Sequence, residues 1–278
     1  MITFMAVSPH GDELLSPNDP ESAKLNEAMR AVARERDNVH IDTWVVLTPH
    51  SIRIPDHFAV LTCENLQGEI DKKTTTVKTD LELARAISRR ARSLSVPVVE
   101  VNYGALEGPL SVLPLDWGAS IPLSFLYRGE KLVIIGPARE VNRKELISFG
   151  SAVGEECNSS QKDVGIIVSA DNAHAHKADG PYGFSPAARA YDDLVVKAFK
   201  ENDLDLIAGI DDGLLRAAKP DSFWQFMVML GILSVKPMRP VFLAYGLPSY
   251  FGMLVAYFKE SSRMTPKVLA SAEVLLEG

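Results

Sequence analysis

Val164, Ile166, Ile167 and Val168 make a short apolar run dominated by β-branched residues, and Ser169-Ala170-Asp171-Asn172 breaks it with turn formers. A run of that length and make-up reads as a buried strand. The residues immediately beyond this turn are mostly polar and include His174 and His176. Comparable runs lie at residues 2–7, 40–47, 96–101 and 131–135. Between them the apolar residues recur at helical spacing. Leu25, Ala28, Met29, Val32 and Ala33 fall on one face of 20–36, with Asp19 or Ser22 as cap, and Leu81, Ala84, Ile87 and Ala91 mark 80–94. Further helices are expected over 120–127, opening near Pro122, over 143–156 through Leu146, Phe149 and Val153, and over 186–201.

Residues 204–207 read as a short element and 223–235 as a buried helix flanked by Pro220 and Pro237. Residues 240–245 and 250–258 suggest an antiparallel pair, and 56–62 and 69–72 exposed strands or a hairpin. Strands alternating with helices argue for an α/β fold, a three-layer α/β/α domain on a central mixed sheet, taken as one domain over 1–278. In such sheets ligands bind where strands end at their carboxyl edge, so His174 is placed in an active site.

Twenty-nine Lys and Arg against 36 Asp and Glu leave a net charge of −7, which argues against nucleic acid or an anionic membrane as partner. The opening MITFMAVSPHGDE has no basic stretch and too short an apolar run for a signal peptide or a membrane span. Cys63 and Cys157 are far apart and form no CxxC, so neither a disulfide framework nor a zinc knuckle is indicated and a cytoplasmic setting fits.

Three histidines stand just past expected strands: His10 after Ser8-Pro9, His50 after Thr48-Pro49, and His174. Two neutral imidazoles and a carboxylate are the ligand set of non-haem Fe(II) sites. Spacing alone leaves two readings open, a shared metal or separate polar residues at strand ends. His40 and His57 read as surface residues.

The ordered set Ser8-Pro9-His10-Gly11, Pro49-His50-Ser51, Asp116-Trp117-Gly118, Ser169-Ala170-Asp171-Asn172-Ala173-His174 and Ala190-Tyr191-Asp192 resembles the class III extradiol ring-cleavage dioxygenases, a superfamily that includes Memo-like proteins. The resemblance implies His10 and His50 as ligands of Fe(II), with Asp221 the best match for the third, against Asp211, Asp212 and Glu13. It implies His174 as acid and base on the bound diol, and O2 as co-substrate. The substrate would be a small aromatic diol or aminophenol. His176 would contact substrate or buttress the ligands, and Tyr182 with Phe184 would form an aromatic lip. Asp171 and Asp116 would orient or cap. Many members carry histidine where this chain has Trp117, which is therefore either a stacking wall for the substrate ring or the mark of a changed chemistry. Two other functions stay open: a Memo-like metal-binding or scaffold protein without ring cleavage, and a metal-dependent hydrolase. A homo-oligomer is compatible with the chain but not required by it.

Overall fold

The structure, a computed structural model, describes residues 1–261; the last part of the expected domain, 262–278, lies outside the described residues. In chain order the first half holds β1 (Ile2–Ser8), α1 (Pro20–Arg36), β2 (Thr43–Leu47), β3 (Phe58–Leu61), β4 (Asn65–Ile70), β5 (Lys73–Lys78), α2 (Leu81–Ser93), β6 (Val98–Val101), β7 (Val112–Pro114) and α3 (Trp117–Leu126). The second half holds β8 (Lys131–Ile135), α4 (Arg143–Ser159), β9 (Val164–Ser169), α5 (Pro186–Glu201), α6 (Asp205–Ala208), α7 (Asp212–Ala218), α8 (Phe223–Val235), β10 (Met238–Gly246) and β11 (Met253–Glu260).

Eight strands form one mixed sheet in the order β10-β11-β1-β9-β2-β8-β3-β6. Its middle, β1-β9-β2-β8, is parallel, and β11 and β10 extend it antiparallel at one side. Successive side chains leave opposite faces of a strand, and β2 shows the result. Val45 and Leu47 join a core with residues of α2, α4, α5 and α8, whereas Trp44 and Val46 join one with residues of α1 and α3. The sheet is thus the middle of three layers, as expected. A small sheet, β5-β4-β7, adds to the α1/α3 side. Its hairpin turns on Asp71 and Lys72, both at positive φ (49° and 61°), the geometry of a two-residue type I′ turn.

One expectation is corrected. Residues 56–62 do not form an exposed strand: Phe58, Ala59, Val60 and Leu61 are all buried in β3, which pairs parallel with β6 and, through Val60 and Ile135, antiparallel with β8. An unbroken apolar run is what a strand covered on both faces requires. The 120–127 helix begins earlier, at Trp117, because the Asp116 carboxylate accepts from Ala119 N and caps it. Pro122 consequently sits inside the helix.

α8 is apolar around nearly its whole circumference, and a helix of that kind needs cover on every side. α4 supplies one wall by direct backbone contact, since a Cβ on Gly231 would collide with Ile147 O and one on Gly150 with Val228 O. Among the described residues no helix is long and apolar enough to cross a membrane. Gly231→Ala should force α4 and α8 apart and destabilise the fold by about 1–3 kcal/mol, the usual effect of overpacking a core. Urea unfolding checks it; an unchanged midpoint would mean that the two helices move apart freely.

Candidate metal centre and the cleft beside it

The centre is built where β1, β2 and β9 end. His10 follows β1, His50 follows β2, and Asp171 lies two residues beyond β9. Asp221 comes from the segment just before α8. A donor atom from each of His10, His50 and Asp221 lies within 4.8 Å of the others. His10 Nε2 is 2.9 Å from His50 Nε2, 3.1 Å from Asp171 Oδ2 and 3.4 Å from Asp221 Oδ2. The alternative third acids go elsewhere. Asp211 caps α7 through Leu214 N, Asp212 pairs with Arg143, and Glu13 is not part of the cluster.

The tautomer of His10 is set by a chain of hydrogen bonds. Pro122 has no N–H, so the carbonyl of Gly118 four residues earlier has no helical donor. Ser169 Oγ donates to that carbonyl at 2.5 Å, which uses the hydroxyl's one proton. The same Oγ lies 3.1 Å from His10 Nδ1 and must accept there. His10 Nδ1 therefore carries a hydrogen, and Nε2 faces His50 and the two acids. Gly118 also lies close to His50: a Cβ there would be 2.5 Å from Thr48 Oγ1 and 3.3 Å from His50 Cδ2.

Burial alone would lower the pKa of His10, but Asp171 and Asp221 outweigh it and raise it to about 9. Burial, reinforced by the charge of His10, takes His50 down to about 4. Burial lifts Asp171 to about 7, while His10 overcomes the burial of Asp221 and holds it as a carboxylate. His10 Nε2 thus lies among His50 Nε2 and two carboxylates. Asp221 Oδ1 accepts from Asp171 N at 3.0 Å, yet its Oδ2 is buried without a hydrogen bond. Two imidazole nitrogens and an unsatisfied buried carboxylate oxygen at one point fit a divalent cation.

His174 lines the cleft beside this cluster. Its Nδ1 donates to Asn172 O at 2.9 Å, which leaves Nε2 with a free lone pair. Its own loop is stitched to two neighbours, by His174 N to Ala218 O and by Gly252 N to Ala173 O, both at 3.1 Å. The Tyr182, Phe251 and Tyr250 rings pack around the imidazole at 5.2, 5.1 and 5.9 Å between centroids. Burial lowers the His174 pKa. A cleft of about 300 Å³ opens here, lined by His50, His174, Tyr182 and Asp221 together with Arg139, Arg216 and Lys219.

Two residues expected at the substrate are not among those that line this cleft. Trp117 stacks one face of its indole on His50 at 4.2 Å between centroids and is otherwise 55% exposed. His176 is buried and donates from Nε2 to Asp192 Oδ2 at 2.8 Å. Asp192 also accepts from Ala173 N (2.9 Å) and Tyr245 OH (2.5 Å), so this buried acid anchors the His174 loop from behind. Phe184, the other half of the expected lip, is exposed and outside the lining. Tyr250, Phe251, Arg139 and Arg216 were not singled out from sequence. Segments far apart in the chain supply them, Arg216 from α7 and the others from loops, and no local pattern marks them.

Asp192→Ala would leave Ala173 N, His176 Nε2 and Tyr245 OH without their acceptor. The expected cost is about 3 kcal/mol or more, read as a lower urea midpoint; a loss below about 0.5 kcal/mol would show that the network does not anchor the loop.

Residues 5–253 match the family described as the catalytic LigB subunit of aromatic ring-opening dioxygenase. A curated Clostridium acetobutylicum protein, CA_C1420, is 24% identical over 227 residues, which cover 79% of this chain and 48% of that protein. The chain thus spans about half the length of this relative. The crystal structure of the uncharacterized protein JW3007 from Escherichia coli K12 superposes with a TM-score of 0.62 at 13% identity, over 92% of this chain and 99% of that one. That likeness concerns the fold. The family match takes in both histidine loops, the His174 loop and the Asp221 turn, and on it the chain belongs to the LigB family of aromatic ring-opening dioxygenases.

Proposed function

We propose that the protein is an Fe(II)-dependent extradiol dioxygenase that opens the ring of a small catechol-type diol or aminophenol with O2, in the cytoplasm. The observation that carries this reading is the convergence of His10 Nε2, His50 Nε2 and the unpartnered Asp221 Oδ2 beside a cleft that His174, with its Nε2 free, also lines. Two imidazoles and one carboxylate leave coordination positions open for substrate and dioxygen. Bound iron would favour the deprotonated diol and carry electrons between ring and oxygen.

The chain's own residues account for the proton movements. Asp171 lies against His10 and holds its ring between two loops, through His10 N as well as Nε2. His174, held neutral by burial and oriented by its Nδ1–H on Asn172 O, takes a proton from the diol at Nε2 and returns it later in the cycle. Tyr182, Tyr250 and Phe251 exclude water from around that nitrogen and present apolar ring surface. A second reading, a Memo-like binding protein, rests on Trp117: an indole moves no proton, and here it backs His50. In a third, a hydrolase, the same ligands would activate water on Zn(II).

Oxygen uptake by anaerobically Fe(II)-loaded protein, tested on catechols, protocatechuates and aminophenols, separates the three. The expected result is uptake matched by a yellow ring-opened product; iron-replete protein that is silent on the whole panel would remove the dioxygenase reading. His10→Ala, His50→Ala and Asp221→Asn should each lose bound metal, and full loading in all three would remove the ligand assignment. His174→Ala should retain metal and lose about 10²- to 10⁴-fold in turnover. Because His174 must be neutral to accept a proton and its pKa lies below the ordinary 6.5, the rate should rise with pH only below that value and be flat at neutrality. An acid limb that persists unchanged in His174→Ala would assign it to another group.

A further inference from the structure

A second set of donor atoms converges at the opposite edge of the sheet, where β2 and β9 begin. His40, Asp42 and Asp163 each place a ligand atom within 4.8 Å of the others. The register that pairs Thr43 with Val164 sets Asp42 beside Asp163, and Asp163 O accepts from Asp42 N at 2.8 Å. Asp42 Oδ2 in turn accepts from Asp163 N at 2.8 Å, and its Oδ1 lies 3.0 Å from His40 Nε2. The five residues of β2, a strand length of roughly 17 Å, stand between this group and the loop of His50.

The group lacks a cation of its own. Two carboxylates on neighbouring strand starts repel each other. The Asp163 carboxylate makes no hydrogen bond or ion pair among the described residues. Lys162, whose charge reaches Asp42, has its ammonium on Asp80 and Glu82 at 2.9 and 2.8 Å. An imidazole sets this group apart from an ordinary acidic surface. It is turned onto a carboxylate, whereas the His57 ring is turned onto the backbone, Nδ1 meeting Pro55 O.

We propose that His40 Nε2, Asp42 Oδ1 and a carboxylate oxygen of Asp163 bind a divalent cation of the zinc class, at a site separate from the centre at His10 and His50, and that the ion clasps the starts of β2 and β9. One imidazole and two carboxylates are a donor set that Zn(II) accepts, with water filling the fourth position on the exposed side. Bonds of about 2.0–2.2 Å put tetrahedral ligand atoms roughly 3.3–3.6 Å apart. The 3.0 Å between His40 Nε2 and Asp42 Oδ1 thus opens slightly as the ion replaces their hydrogen bond. Ca(II) and Mg(II), which prefer oxygen ligands, would leave the imidazole unused. The inference holds whatever reaction the cleft performs.

Titration of the full chain with Zn(II) tests it. Equilibrium dialysis should find two ions per wild-type chain. His40→Ala and Asp163→Asn should each weaken one of them at least about tenfold, and His10→Ala/His50→Ala should retain that one. His40 is exposed and Asp163 only half-buried, so folding should hold in the first two variants. Glu107→Gln, at an exposed loop position, should change neither ion. Imidazole nitrogen NMR reads the site directly: Zn(II) should shift His40 Nε2, and the shift should need higher Zn(II) in Asp163→Asn. Because an ion that binds only the folded chain stabilises it, Zn(II) should also raise the Tm of His10→Ala/His50→Ala, and by less when His40→Ala is added. A His40 ring that Zn(II) leaves unmoved, or affinities unchanged in both His40→Ala and Asp163→Asn, would overturn the site, and neither result requires the cleft variants to fold.

Discussion

The parallel register of β1, β9, β2 and β8 is the constraint from which the site descends. Ser8 lies opposite Ser169, and Leu47 opposite both Val168 and Ile135, so four strands end at one level. The residues just beyond those ends emerge together: His10, His50, Asp171 and, a little further on, Arg139. Parallel strands always deliver their carboxyl ends to one edge, which is why such sheets gather ligand sites there. Asp221 then closes the group from a different direction, because the segment before α8 pairs with the His174 loop through Ala173 and Pro220.

Within that frame, satisfying buried polar atoms sets the details. A proline inside α3 frees one carbonyl, a serine at the end of β9 donates to it, and that serine's lone pair then fixes the tautomer of a histidine on the loop after β1. In a dry site each such link is strong and each missing one costly. Asp192 plays the same part behind His174, holding one backbone and two side-chain donors. The atom that the protein leaves over is Asp221 Oδ2, at the point where two imidazole nitrogens meet it. A charge buried beside imidazoles and short of one bond contributes little to stability alone and is suited to holding a cation.

Charge is divided across the molecule in a related way. The chain is acidic on balance, while Arg139, Arg216 and Lys219 line the cleft beside the ligands. Aromatic rings of Tyr182 and Phe251 pack about the His174 imidazole, whereas Arg139 and Arg216, which line the same cleft, are exposed.

Much of this was legible from the chain. Apolar β-branched runs alternating with helical periodicity determined the layered α/β fold, because burying a strand's two faces demands cover on both. The Pro-His pairs at the ends of β1 and β2 and the histidine after β9 marked the site, because strand ends in such a sheet converge. Asp221 was preferred by resemblance, and its distance from Asp211 and Asp212 in space, not sequence, separates them. The burial of β3 was missed because a four-residue apolar run beside a charged turn has no periodicity to reveal its partners. Trp117 and His176 carry aromatic and imidazole rings that sequence can only place near the site; that one ring stacks on His50 and the other bonds Asp192 depends on contacts across 67 and 16 residues of chain. Arg139 and Arg216 looked like any surface cations. By itself the sequence determined the layers and which loops would carry chemistry, through local pattern and burial. Only the tertiary structure decided which side chains meet and which atoms remain unpaired, because hydrogen bonding and charge pairing are settled between segments that sequence separates.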